Sequence, residues 1–313
     1  MSMAICCDTF KNLGHNRSNF REASRSSIDM KRLILALALA LVAAFSFGCG
    51  SLDERQRAWI FQPSDRAWGG SAELARDMDE VWIDFQSAAT DSPARLHGLW
   101  LAADAKATPA PILLYLHGAR WNVAGSAPRI RRMQELGFSV LAIDYRGFGK
   151  STTGLPSEAS AYEDARAGWD WLAARYPDRP RYIFGHSLGG AIAIDLAAQV
   201  DDERGTIVEG TFTSISDLTD TMKWGWLQGS WLPGALITQR FESVKKVAKI
   251  NSPLLVVHGE NDNLIASALG RKLYEAAQGR KQFLLIEGAS HFSTMTLGQA
   301  QYRLALAQLF SLR

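Results

Sequence analysis

After residue 49 the sequence contains no cysteine, its three being Cys6, Cys7 and Cys49. The body of the chain therefore holds no disulfide framework, no thiolate metal site and no cysteine nucleophile. An excess of charge of one sign is missing too. Lys+Arg 34 against Asp+Glu 32 leaves a formal +2, so the global balance does not recommend nucleic acid as a partner. Neither an H-E-x-x-H pair nor a cysteine cluster is present, so no metal and no cofactor are expected. There is no internal repeat and no low-complexity tract. The apolar run from Leu33 to Gly48 is 16 residues, short of the ~20 that a spanning helix needs. What is there is apolar: 47% of residues are hydrophobic and 10 are Trp, enough for a sizeable core and far from a disordered composition.

The front of the chain does not read as fold. Residues 1–29 are polar without an apolar period. Met30-Lys31-Arg32 then precedes the uncharged run, the order of a secretory signal: basic flank, apolar stretch, small residue at the cut. Ser46-Phe47-Gly48-Cys49-Gly50-Ser51 resembles a bacterial lipobox, although an aliphatic residue usually stands where Ser46 is. Lipidation at Cys49 and a place on the periplasm-facing side of a bacterial envelope membrane are expected. An uncleaved N-terminal anchor and ordinary secretion are the alternatives. Residues 1–48 are thus read as extension plus signal segment (apolar run 33–48), 49–75 as a linker, and 76–313 as one catalytic domain.

In that body, short β-rich runs alternate with helical patterns, the signature of an α/β protein with a mostly parallel sheet covered on both faces. Eight strands are expected, at Val81–Phe85, Leu96–Ala102, Ile112–Leu116, Ser139–Ile143, Tyr182–Phe184, Thr206–Glu209, Leu254–Val257 and Phe283–Ile286. Helices are expected at Pro128–Leu136, Ser157–Ala174, Leu188–Gln199, Ser267–Ala277 and Leu297–Leu312. The alternation breaks at about 212–250, where Met222, Trp224, Trp226, Trp231 and Leu232 lie among Gly and Ser. That insertion reads either as a small cap over a pocket or as ordinary core packing.

Gly185-His186-Ser187-Leu188-Gly189 follows a strand and opens a helix, which is G-x-S-x-G in the setting that makes Ser187 a nucleophile. The helix starting at Leu188 aims its free N–H groups at any oxyanion formed there. Of six histidines, His15 lies in the leader, His97 inside an early strand, His117 and His258 at strand ends, and His186 beside the nucleophile. That leaves His291, in a loop after the last strand, as the base. The orienting acid belongs between serine and histidine in chain order. Asp262, just past a strand end, is preferred, with Glu209 and then Glu260 as alternatives. A second oxyanion donor is expected from the backbone of Ala119, in His117-Gly118-Ala119-Arg120-Trp121. Arg120 and Trp121 line the acyl or leaving-group side or simply cover strand ends, and Trp224 and Trp226 are candidate pocket residues from the insertion. Gly149-Lys150-Ser151 is no phosphate loop, because Asp144 stands where that motif needs Gly. It reads as a structural turn in which Asp144 and Arg146 are paired in polar bonds.

His117-Gly118, Asp144-Tyr145-Arg146-Gly147-Phe148-Gly149-Lys150-Ser151, the Ser187 elbow, the Asp262 turn and the His291 loop together resemble the α/β-hydrolase superfamily. Within it the likeness is to the Bem46-like, ABHD-type serine hydrolases with a small cap, over roughly residues 75–312. The resemblance implies Ser187 as nucleophile, Asp262 as acid, His291 as base, and the Ala119 and Leu188 amides as oxyanion donors. Such relatives often carry Asn after the His-Gly pair where this chain has Ala119-Arg120, so the pocket shape does not carry over. The expected activity is hydrolysis of an ester or related acyl bond through an acyl-enzyme, on an apolar or lipid-like substrate. Peptidase, thioesterase and acyltransferase chemistry use the same residues, and a non-catalytic binding protein is the competing class.

Overall fold

Ile112-Leu113-Leu114-Tyr115-Leu116 is apolar at every position, and all five side chains are buried. A strand can be apolar on both faces only if both faces are covered. Its alternate residues serve two cores: Ile112, Leu114 and Leu116 join one cluster, Leu113 and Tyr115 the other. The computed structural model describes residues 52–67, 69–104, 110–221 and 236–312, and Asp53–Arg313 form one compact unit. The signal segment, Cys49, Trp224 and Trp226 lie outside the described residues.

The eight expected strands are present: β1 (Asp79–Ser87), β2 (Ser92–Leu101), β3 (Ile112–Leu116), β4 (Ser139–Ile143), β5 (Arg181–His186), β6 (Glu203–Glu209), β7 (Leu254–Gly259) and β8 (Lys281–Ile286). They form one sheet in the order β1-β2-β4-β3-β5-β6-β7-β8. β1 and β2 are antiparallel, as are β2 and β4, and every later pairing is parallel. This is the α/β-hydrolase architecture.

The sequence at 52–61 is helical (α1), followed by a short α2 (Ser71–Leu74). After a 3-10 turn (Val123–Ser126) come α3 (Ala127–Glu135), α4 (Glu158–Arg175), α5 (Leu188–Ala197), α6 (Ile215–Thr221), α7 (Ser243–Val247), α8 (Ser267–Ala276) and α9 (Thr294–Phe310). Ile130 of α3 and Tyr302 of α9 pack on one sheet face. Trp169 of α4, Ile192 of α5 and Leu269 of α8 pack on the other. The start of α4 is fixed by a reciprocal cap, in which Ser160 N–H donates to Ser157 Oγ (3.1 Å) and Ser157 N–H to Ser160 Oγ (2.8 Å).

Two expectations need correcting. The stretch read as a linker is part of the domain from Asp53 onward. Ile60 and Phe61 of α1 are buried in the core, and Arg57 Nε donates to the Pro156 carbonyl (2.9 Å). A single turn of apolar residues, Trp59-Ile60-Phe61, supplies the anchor and is too short to show a period. Asp144 and Arg146 are both buried and bonded, but not to each other. Arg146 Nε donates to Asp164 (2.6 Å) and its Nη1 to Ser87 Oγ (2.6 Å). Asp144 instead accepts from Val123 N–H (2.6 Å) and lies 3.0 Å from His97 Nδ1. Both follow the end of β4, and each bonds to a side chain that the fold, not the local sequence, brings close. Because Phe61 is 0% exposed and packs at a tilt against Phe241, ring centroids 5.8 Å apart, Phe61→Ala is expected to cost about 3–5 kcal/mol in denaturant unfolding. A loss under about 1 kcal/mol would mean that α1 is dispensable to the core.

Candidate active site

Parallel strands all end at the same sheet edge, so the loops that follow β3, β5, β6, β7 and β8 meet there. Register sets the neighbours: Leu116 of β3 lies opposite Gly185 of β5, His186 opposite Glu209 of β6, and Gly259 of β7 opposite Ile286 of β8. Ser187 follows β5 directly. Its backbone sits at φ 56°, ψ −121°, a conformation that L residues rarely adopt. Ser187 N–H donates to the Glu209 carbonyl (2.9 Å), which ties the turn to β6.

The glycines on either side of Ser187 are there for space. A Cβ on Gly189 would overlap the Leu116 carbonyl, and one on Gly185 would overlap the Gly189 carbonyl. α5 can therefore approach β3 and β5 only with hydrogen at both positions. As the first residue of α5, Leu188 has an N–H without an intrahelical partner.

Asp262 lies in the turn after β7 and is buried. Its Oδ1 accepts from the Leu264 (2.9 Å) and Ile265 (2.8 Å) amides, and its Oδ2 lies 2.7 Å from His291 Nδ1. Burial alone would raise this carboxyl's pKa. Hydrogen bonds from His258 and His291, the charge on His291 and the Ile265 amide outweigh burial and hold it far below the usual carboxylate range. An ionised carboxylate only accepts, so His291 carries its proton on Nδ1 and Nε2 is left as the basic nitrogen. The sign for stability follows. A depressed carboxylate pKa contributes stability above its unfolded value of about 4, and that stability is lost as pH falls toward the folded one.

The two alternative acids are occupied elsewhere. Glu209 is held by Arg129 Nε (3.2 Å) and by the Tyr302 hydroxyl, and Glu260 accepts from Gly288 N–H (2.9 Å). Arg129 is a residue that sequence reasoning missed. Its guanidinium also reaches the carbonyls of His291 (3.4 Å) and Phe292 (3.3 Å), and so fastens the His291 loop to α3. Its counter-charge is 80 positions away in sequence, and no local pattern announces such a pair. His186 is buried, with Nε2 3.2 Å from Arg129 Nη2. Burial, then the charges of Arg129 and His291, push its pKa well below the ordinary histidine value. It stays neutral, and the same Nε2 lies 3.2 Å from the His291 carbonyl, so the ring sits between α3 and the His291 loop.

The loop after β3 carries Ala119, Arg120 and Trp121, and Arg120 (φ 67°) and Trp121 (φ 59°) are both left-handed. Such strain persists only where the surroundings impose it. Here the N-terminal segment does so: Arg120 N–H donates to the Phe61 carbonyl (2.9 Å) and Asn122 N–H to the Arg66 carbonyl (2.9 Å). Ser187, His291, Leu188, Ala119, Arg120 and Trp121 all line one cavity of about 390 Å³. Trp59, Ile60 and Gln62 of the N-terminal segment line it as well, as do Ile215 and Leu218 at the start of the insertion. Among the described residues no group of His, Cys, Asp and Glu is arranged to hold a metal.

Comparisons with known proteins agree with this architecture. The family described as Serine aminopeptidase, S33 (Hydrolase_4) matches residues 107–244. An uncharacterized protein of Mycobacterium tuberculosis is 28% identical over 268 residues, 84% of this chain and 90% of that one. Lysophosphatidylserine lipase ABHD12 of Danio rerio is 34% identical over 208 residues, 59% of this chain and 54% of the lipase. The chain thus spans about half the length of that relative. Among solved structures, the Pyrococcus furiosus esterase Pf2001 superposes with a TM-score of 0.62 at 19% identity, covering 80% of this chain and 98% of the esterase. That likeness concerns the fold. Gly189→Ala is expected to destabilise the fold by about 3 kcal/mol or more, since the clash is with backbone. A thermal melt within a degree or two of wild type would mean that α5 can move off β3.

Proposed function

The chain is an ABHD/Bem46-like α/β-hydrolase, and from that premise we propose that it cleaves an ester with an apolar, lipid-like acyl group through Ser187, His291 and Asp262. The observation that carries the reading is the 2.7 Å contact between His291 Nδ1 and Asp262 Oδ2, in a cavity also lined by Ser187 on its strained turn. The Ser187 hydroxyl attacks the acyl carbon and passes its proton to His291 Nε2. Asp262 fixes the imidazole tautomer and stabilises the imidazolium. The Ala119 and Leu188 amides hold the oxyanion, each such donor lowering the barrier by about 2.7–4 kcal/mol. The alcohol leaves with the proton from His291, and water activated by the same nitrogen releases the acid from the acyl-enzyme.

An apolar acyl group suits the cavity, whose walls include Phe212, Ile215, Leu218 and Ile265. The relatives titled lysophosphatidylserine lipase give a precedent for a single-chain lipid ester. The same reading puts the mature chain on a bacterial envelope membrane through lipid on Cys49, where such substrates are found. More than one acyl chain makes that attachment stable.

Nitrophenyl esters of increasing chain length test the chemistry. Ser187→Ala is expected to lower kcat by a factor on the order of 10⁴–10⁶ and to abolish labelling by a fluorophosphonate probe. Equal rates in wild type and variant would sink the mechanism, and an unlabelled but folded wild type would favour a binding protein. Asp262→Asn should cost on the order of 10⁴ in kcat by fixing the wrong tautomer, far more than Glu209→Gln. The reverse order would reassign the acid. Cys49→Ser is expected to move the protein from the membrane to the soluble fraction, and unchanged fractionation would point to an uncleaved anchor.

A further inference from the structure

The hydrolytic steps leave Arg120 without a task, and we propose that it binds an anionic group, a phosphate or a carboxylate, on the alcohol side of the scissile ester. The inference rests on the esterase reading above and adds to it the class of leaving group.

Arg120 follows the oxyanion donor Ala119 and lines the same cavity as Ser187. Its left-handed backbone (φ 67°) is costly for a residue with a Cβ. Neither Gly nor Asn, which would remove that cost, stands there. The strain is imposed by the bond from its N–H to the Phe61 carbonyl (2.9 Å), and this fixes where the side chain emerges. The side chain is also oriented at one nitrogen only, Nε donating to Gln62 Oε1 (2.8 Å). Among the described residues Nη1 and Nη2 have no hydrogen-bond or ion-pair partner, so the outer edge of the guanidinium keeps its donors for something else. That planar fork matches the two oxygens of a carboxylate or phosphate.

The cavity's charge points the same way. Its described lining includes two guanidiniums, Arg120 and Arg129, and no carboxylate. Arg129 is spent on Glu209 (3.2 Å) and on the His291 loop, which leaves Arg120 as the uncompensated charge. The anion belongs on the alcohol side because the acyl chain needs the apolar wall formed by Phe212, Ile215 and Leu218. A guanidinium with Gln62 beside it suits a polar head.

The test uses three esters of one acyl chain: octanoyl glycerol, octanoyl glycerol 3-phosphate and octanoyl glycerate. Wild type is expected to show a higher kcat/KM on the two anionic esters than on the neutral one, with KM for the anionic pair rising as salt is added. Arg120→Gln should lower the anionic-to-neutral ratio of kcat/KM about tenfold, and Arg120→Lys, which keeps charge but not the fork, should lower it less. Preference for the phosphate over the glycerate, or the converse, identifies which oxyanion the fork takes. An unchanged ratio in Arg120→Gln, or a wild-type ratio at or below one, would overturn the proposal. Ser187-dependent hydrolysis of the neutral ester reports separately on the esterase reading, so the two failures are distinguishable.

Discussion

A Cβ on Gly189 would occupy the position of the Leu116 carbonyl, and much of this active-site edge follows from that crowding. α5 packs so closely on β3 and β5 that Ser187 is forced to φ 56°, where its side chain stands above the sheet edge and not within it. The same closeness brings the loop after β3 against Ser187, since a Cβ on Gly118 would lie 3.0 Å from Ser187 Cβ. The 2.9 Å bond from Ser187 N–H to the Glu209 carbonyl then locks the turn to β6. Relaxing the packing at Gly189 would loosen Ser187, the loop after β3 and the β6 edge together.

A second layer holds the site from outside. The N-terminal segment carries Phe61 into the core and uses its carbonyl, with that of Arg66, to keep the loop of Ala119 to Asn122 in a strained shape. On the opposite side, Arg129 ties the His291 loop to α3 and neutralises Glu209. The loops that carry Ala119 and His291 are thus each braced by another element of the domain. For the proposed mechanism, such bracing holds the groups in place without reorganisation at the moment of reaction. It also disposes of the buried charge: the Asp262 and Glu209 carboxylates are both satisfied, each by its own set of donors.

Much of this was legible in the chain. Strands such as Ile112–Leu116 announce burial on both faces because they are apolar throughout, and the glycines around Ser187 announce a tight strand-to-helix turn. Asp262 was nameable, but not separable from Glu209 and Glu260 by spacing alone. The structure separates them through their partners: Asp262 faces His291 at 2.7 Å, Glu209 faces Arg129, and Glu260 faces Gly288. Arg146 shows the limit from the other direction. Its neighbour Asp144 looks like a partner in sequence, yet Arg146 reaches across to Asp164 on α4 and Asp144 lies against His97.

By itself, then, the sequence determined the alternation of strand and helix, the order of the chemistry-bearing loops and the Ser187 turn. Those features depend on local pattern and on steric needs expressed within a few residues. Tertiary structure alone decided that residues 53–66 belong to the domain, that Arg120 and Trp121 are held left-handed, and that Arg129 braces His291. These depend on contacts between segments tens of residues apart, such as the 2.9 Å bond from Arg120 N–H to the Phe61 carbonyl. A hydrogen bond or ion pair of that kind leaves no periodicity in the chain, because either partner would be an ordinary polar group until the sheet brought them together.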